Sequence, residues 1–333
     1  MKIGLIGTGW IGEEHARRLS GRISGAEVAA VSDIDPERAA AVAKAVGARV
    51  AADADRLIAD PEVEAVVVAS WGPAHAGQVL ACIAAGKPVF CEKPLTTEAA
   101  DGLRILEAEQ AHGKRLVQVG FMRRYDAGYR QIKAVLDAGG VGTPLMAHCA
   151  HRNPTQPESY HSDKPMVDTA VHEIDVLRWL LGEEFATVQV VVPRSTAKRY
   201  PHLVDPQILL LETESGARVD VEVFVNCQYG YDIQCEIVGE TGTVRLPDPA
   251  APLVRSGGRA AYPLVQDFPS RFADAFDTEL QEWVDALHAG LPAGPSAWDG
   301  YAATVVTNAA VEARRTGAIV PVDLPARPDF YKE

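Results

Sequence analysis

The first apolar run of the chain, Ile3 to Ile6, passes directly into Gly7-Thr8-Gly9-Trp10-Ile11-Gly12, and this junction restricts the fold more than any other segment. A glycine at 7 permits a tight turn, one at 9 lets backbone approach a bound group, and one at 12 lets the following helix pack against the strand. Four further apolar runs follow: Glu27 to Ser32, Ala65 to Ser70, Pro88 to Cys91 and Leu116 to Val119. Between them lie helical patterns over Pro36 to Val46, Pro73 to Ala85 and Thr97 to Ala111. The runs are mostly apolar throughout instead of alternating with polar residues, so both faces of the strands must be covered. The pattern predicts an N-terminal Rossmann domain, a doubly wound parallel sheet, over residues 1–120.

In that context the glycine loop is a dinucleotide site, with phosphates meeting the positive end of the helix that opens at Trp10. Gly7, Thr8, Gly9, Trp10, Ile11 and Gly12 form the phosphate turn. Asp33 ends the second strand, 21 residues beyond Gly12, where a carboxylate accepts from the adenosine ribose hydroxyls. It would repel a 2′-phosphate, which favours NAD over NADP; Arg38, close by in sequence, leaves some NADP use open. A plain helix cap suits Asp35, directly before Pro36, better than it suits Asp33. Ser70 and Trp71 close the third strand and join the expected cofactor contacts, as do Glu92 and Lys93 in Cys91-Glu92-Lys93-Pro94. Ligands of open α/β sheets bind at the carboxyl ends of strands, where a lysine can polarise an alcohol or relay its proton.

The pattern changes near residue 121. A helix over Ala127 to Ala138 is followed by alternating β runs at Gln207 to Thr213, Arg218 to Asn226, Asp232 to Val238 and Thr243 to Leu246. Hairpin turns are expected at Glu214-Ser-Gly216 and Gly239-Glu-Thr-Gly242, with late helices at Phe272 to Ala289 and Trp298 to Thr316. Residues 121–333 therefore form a second domain, of α/β type, built on a large, mainly antiparallel open sheet. Val221, Val223 and Val225 supply its apolar row, and an open face of this size predicts homo-oligomerisation.

Within this half, Asp168-Thr-Ala-Val-His172-Glu-Ile-Asp175 places two carboxylates and an imidazole four and three residues apart on a helix that closes at Gly182. At 3.6 residues per turn the three share one face, the arrangement of a general base held by a carboxylate. The alternative is a buried structural histidine with Asp168 favouring the helix dipole.

The balance of the chain points to a small-molecule partner. Across 333 residues, 47% apolar and 23% charged, the net charge of −13 opposes binding to nucleic acid or an anionic membrane. Cys82, Cys91, Cys149, Cys227 and Cys235 include no CxxC pair, which argues against disulfides or a metal site. No leader or apolar run of membrane length is visible, so a cytoplasmic protein is expected.

Together, the Gly7 to Gly12 loop, Glu92-Lys93-Pro94 and the Asp168 to His172 spacing resemble the Gfo/Idh/MocA oxidoreductases over essentially the whole chain. Val119 to Asp126, Ala147 to Asn153 and Gln228 to Glu236 resemble the inositol 2-dehydrogenase branch of that family. The resemblance implies NAD-dependent oxidation of myo-inositol to 2-keto-myo-inositol, with Lys93, Asp168 and His172 catalytic, and a tetramer. It also places Arg123, His151, Asn153, Asp175 and Tyr231 around the polyol ring, beside Lys93, Asp168 and His172. Another cyclitol or sugar, such as scyllo-inositol, D-chiro-inositol, glucose or an anhydrosugar, fits the same set, with the choice made in the loop at 154–163. A non-catalytic NAD-binding sensor is a third reading, which the intact catalytic set opposes.

Overall fold

The computed structural model describes residues 1–332. Contacts gather the chain into two units: Met1–Met122 with Phe276–Thr304 and Pro325 onward, and Arg123–Ala275 with Val305–Leu324. The chain thus returns to the first unit with Phe276–Thr304 and again from Pro325.

The first unit runs β1 (Lys2–Ile6), α1 (Trp10–Gly21), β2 (Glu27–Ser32), α2 (Pro36–Val46), β3 (Arg49–Val50), α3 (Ala54–Ala59), β4 (Ala65–Val68), α4 (Gly72–Ala84), β5 (Val89–Glu92), α5 (Ala99–His112) and β6 (Val117–Gly120). The strands pair in parallel in the order β3-β2-β1-β4-β5-β6, the doubly wound arrangement expected. Ile3, Leu5, Val67 and Phe90 are fully buried in the core. The late helix Ala273–Ala289 adds Leu280, Trp283 and Val284 to that cluster. Their spacing makes one helical stripe, and Trp283 meets Phe90 edge-on with ring centroids 5.7 Å apart, which is why this segment belongs to the first unit. The short β3 and α3 were not anticipated; two and six residues are too few to show a period.

The second unit holds α6 (Ala127–Asp137), β7 (Pro144–Arg152), α7 (Val171–Leu181), β8 (Phe185–Val191), β9 (Gln207–Thr213), β10 (Arg218–Phe224), β11 (Asp232–Gly239), β12 (Thr243–Arg245), a separate hairpin of β13 (Val254–Ser256) and β14 (Arg259–Ala261), and β15 (Val320–Pro321). The large sheet has the order β12-β11-β7-β10-β9-β8-β15. Among the described residues of this sheet only β7 and β10 pair in parallel; the expected hairpins join β9 to β10 and β11 to β12. Val219, Val221 and Val223 point into the core, while His148, Leu210 and Met146 lie exposed on the other face. β7 shows no plain apolar alternation in sequence, because its buried row includes His151 and its first residue is a proline. Among the described residues no helix is long and apolar enough to cross a membrane.

Candidate active site

In the first unit, Gly7 takes φ +91°, and a Cβ there would lie 2.5 Å from Ser70 N. At Gly12 a Cβ would overlap Gly7 O, so only glycine lets α1 pack against the turn. Beside Gly9 there is open space, and α1 has no side-chain cap, leaving its positive end directed at that space. This cradle fits a pyrophosphate.

Asp33 sits at the end of β2 and is woven into the loop: Oδ2 accepts from Thr8 N at 2.6 Å and Thr8 Oγ1 at 2.9 Å, and Oδ1 from Asp35 N at 2.8 Å. Arg38 Nη2 also donates to Oδ1, at 3.2 Å. Burial would raise the Asp33 carboxyl, but these donors and the Arg38 charge outweigh it and hold it below its ordinary value. The Arg38 side chain that covers this carboxylate is itself half-exposed. Asp35 caps α2 as the sequence suggests, accepting from Glu37 N and Arg38 N. Ile34, 99% exposed, and Trp71, 77% exposed, offer apolar surface along the same edge for a flat ring to cover. Ile34 was not singled out from sequence, although its place directly after Asp33 was the available signal.

Glu92 is buried and faces inward: Oε1 accepts from His15 Nε2 at 2.7 Å and Oε2 from Lys93 N at 3.1 Å. Lys93 itself is half-buried, and the Lys93–Pro94 bond is cis.

In the second unit the helix over 168–181 is not one α-helix. A π-helical stretch, Pro165–Ala170, precedes α7 and contains Asp168. An i→i+5 turn carries an extra residue, so the spacing from Asp168 to His172 is not that of an ideal α-helix; such bulges cluster at functional sites. Asp168 is half-buried and its charge, after burial, pushes the Tyr160 hydroxyl upward.

His172 is buried, and its ring centroid lies 6.4 Å from that of His151. His151 Nε2 is 3.4 Å from the Tyr231 hydroxyl. Its Nδ1 lies 3.0 Å from both Arg123 Nη2 and Glu173 Oε2. Arg123 Nη1 donates to Glu173 Oε1, so both members are buried in an ion pair. Burial alone would raise the Glu173 carboxyl; Arg123, then His151, reverse this and hold it at about 2. Asp175 is also buried, its two oxygens accepting from Arg124 Nε at 2.9 Å and Nη2 at 2.6 Å. Asn153 Oδ1 is a buried acceptor with no protein donor, an atom suited to a ligand hydroxyl.

His151, His172, Tyr231 and Arg123 thus share one cluster, with Arg123 supporting His151 from behind. Asp175 is engaged by Arg124. Glu173 and Arg124 were missed, since each reads in isolation as an ordinary helix or loop charge.

A family model described as an oxidoreductase family with an NAD-binding Rossmann fold, Gfo/Idh/MocA, matches residues 1–121. The model for the same family's C-terminal alpha/beta domain matches residues 133–324. Inositol 2-dehydrogenase 3 of Saccharopolyspora erythraea is 63% identical, over 99% of this chain and 98% of that protein. The crystal structure of myo-inositol dehydrogenase from Lactobacillus casei with NAD(H) and myo-inositol matches with a TM-score of 0.97 at 39% identity, covering 100% of this chain and 99% of that one. The scyllo-inositol dehydrogenase of Lactobacillus casei, with NAD(H) and scyllo-inositol bound, matches with a TM-score of 0.91 at 28% identity, over 97% of this chain and 99% of that one.

Proposed function

The chain belongs to the Gfo/Idh/MocA oxidoreductase family, and we propose that it oxidises myo-inositol to 2-keto-myo-inositol with NAD as the hydride acceptor. The carrying observation is the full-length likeness to a myo-inositol dehydrogenase, at a TM-score of 0.97, in a chain that has Lys93, Asp168 and His172. The Gly7 to Gly12 turn holds the pyrophosphate and Asp33 the adenosine ribose, with Thr8, Trp10, Ile11, Arg38, Ser70 and Trp71 lining the same edge. Glu92 serves this edge indirectly, through the Lys93 backbone.

The nicotinamide, when bound, takes the hydride from the substrate carbon. His172 removes the hydroxyl proton, Asp168 orients the imidazole and stabilises its protonated form, and Lys93 polarises the substrate oxygen. Asn153, His151 and Tyr231 supply hydrogen bonds to the ring hydroxyls, each of which would cost about 1 to 3 kcal/mol if buried unsatisfied. Asp175 contributes to the same wall through its pair with Arg124.

A panel of myo-, scyllo- and D-chiro-inositol and glucose, assayed by NADH formation, tests the substrate. Fastest turnover is expected with myo-inositol, and with NAD over NADP because Asp33 opposes a 2′-phosphate. The likeness to a scyllo-inositol dehydrogenase makes that isomer the principal competitor. Preference for it would move the substrate reading, and silence across the panel would overturn the enzymatic one.

We further place the protein in the cytoplasm, in keeping with its five free cysteines, and as a homotetramer. The open face of the large sheet carries exposed Met146, Leu210 and Ile319 beside a His148–Asp220 pair, a mixed surface suited to a second copy of itself. Light scattering should give the mass of four chains; a monomer at working concentration would remove this assignment.

A further inference from the structure

The turn that carries Lys93 is gripped from both ends by buried side chains of two helices that take no direct part in the chemistry above. On its amino side, Glu92 spans His15 of α1 and the Lys93 amide: Oε1 accepts from His15 Nε2 at 2.7 Å, Oε2 from Lys93 N at 3.1 Å. On its carboxyl side, His75 of α4 has Nδ1 2.8 Å from Pro94 O and Nε2 2.9 Å from Ser70 O. His15 is 0% exposed and His75 1%, so neither is a solvated surface histidine.

The chemistry at His75 is unusual in one respect. Both ring nitrogens face carbonyl oxygens, which only accept, so the imidazole donates to each carbonyl only through a nitrogen that bears a proton. Those carbonyls belong to the two loops at the carboxyl edge of the parallel sheet. Ser70 follows β4 and backs onto Gly7 of the glycine loop, and Pro94 directly follows Lys93. His75 therefore sits between the loop against which the phosphate turn is built and the loop that presents Lys93, and the one N–H of its neutral ring donates to one of the two carbonyls at a time. Burial, joined by the Lys93 charge, outweighs the two carbonyls and Glu92 and lowers the tendency of His75 to hold a second proton, which favours the neutral ring.

We propose that His75 and Glu92 are positioning residues that fix the Lys93 turn, each through a backbone group adjoining that lysine. The inference rests on the catalytic role given to Lys93 above. A one-ångström misplacement of a reacting group can cost about 100-fold in rate, so a clamp of this kind acts on kcat more than on substrate affinity.

The test is a double-mutant cycle with the full-length protein. His75→Leu should lower kcat for myo-inositol by about 10- to 100-fold with KM within about threefold, and His75→Gln, which retains one donor, should recover part of the loss. In a Lys93→Met background, adding His75→Leu should reduce kcat no further, because its effect passes through the missing lysine. A loss of equal size in both backgrounds would mean that His75 supports the fold generally and would overturn the proposal, as would unchanged kcat in the single variant. If His75→Leu does not fold, the same cycle run with His75→Gln decides between these outcomes. Full turnover by Lys93→Met alone is a separate result: it would remove the role of Lys93 itself, and the clamp's purpose with it.

Discussion

Replacing His172 with alanine is expected to lower kcat for myo-inositol by roughly 100-fold or more, the scale for losing a general base, with NADH affinity nearly unchanged. The two terms rest on different residues. His172 lies on α7 in the second unit, buried beside His151, whereas the glycine turn, Asp33 and the open end of α1 belong to the first. Steady-state kinetics and titration of intrinsic fluorescence with NADH measure the two terms separately. Turnover equal to that of the unsubstituted protein would remove His172 as the base, and a parallel loss of NADH binding would show a structural role instead.

The first half of the chain was legible because its physics is local. Continuous apolar runs can only be central parallel strands, and Gly7, Gly9 and Gly12 answer three separate steric demands visible in their spacing. α2 and β2 end where Pro36, Val46 and Ser32 imply, and Gly182 closes α7 at φ +69°. The elements that stayed hidden are those whose identity depends on distant partners. β7 carries histidines and an arginine whose burial or exposure is set by β10 and β11. The stripe of Leu280, Trp283 and Val284 marks an amphipathic helix, but nothing local says which core receives it. A π-helical turn at Asp168 leaves no periodic trace over six residues. The same limit governs the candidate site: residue type and position singled out His172, Glu92 and Lys93, whereas the contacts that join Glu92 to His15, Glu173 to His151 and His75 to Pro94 link residues far apart in the chain, which sequence spacing does not display.

Glu173→Ala should destabilise the second unit by about 3 to 5 kcal/mol, the cost of leaving one member of a buried ion pair uncompensated. Arg123 is 1% exposed, with its guanidinium carbon 5.6 Å from the Phe272 ring centre and 5.9 Å from that of Tyr129, and Glu173 is the carboxylate bonded to it. Thermal unfolding should shift down by on the order of 10 °C. The pH dependence gives an independent figure. The carboxyl is held at about 2 against an ordinary 4.5, so its contribution is fully present above pH 4.5 and is lost as the pH falls toward 2. That shift corresponds to about 3 kcal/mol, and the acid limb of the stability curve should flatten by this amount in the variant. Charge, not volume, is the cause, so Arg123→Met combined with Glu173→Leu should regain much of the stability while still depriving His151 Nδ1 of both its partners. The double variant would then melt near the unsubstituted protein but show a raised KM for the polyol, separating what the pair does for the fold from what it does for His151. Melting of Glu173→Ala at the unsubstituted temperature would mean that water reaches Arg123 and that the pair is not the closed unit its burial indicates.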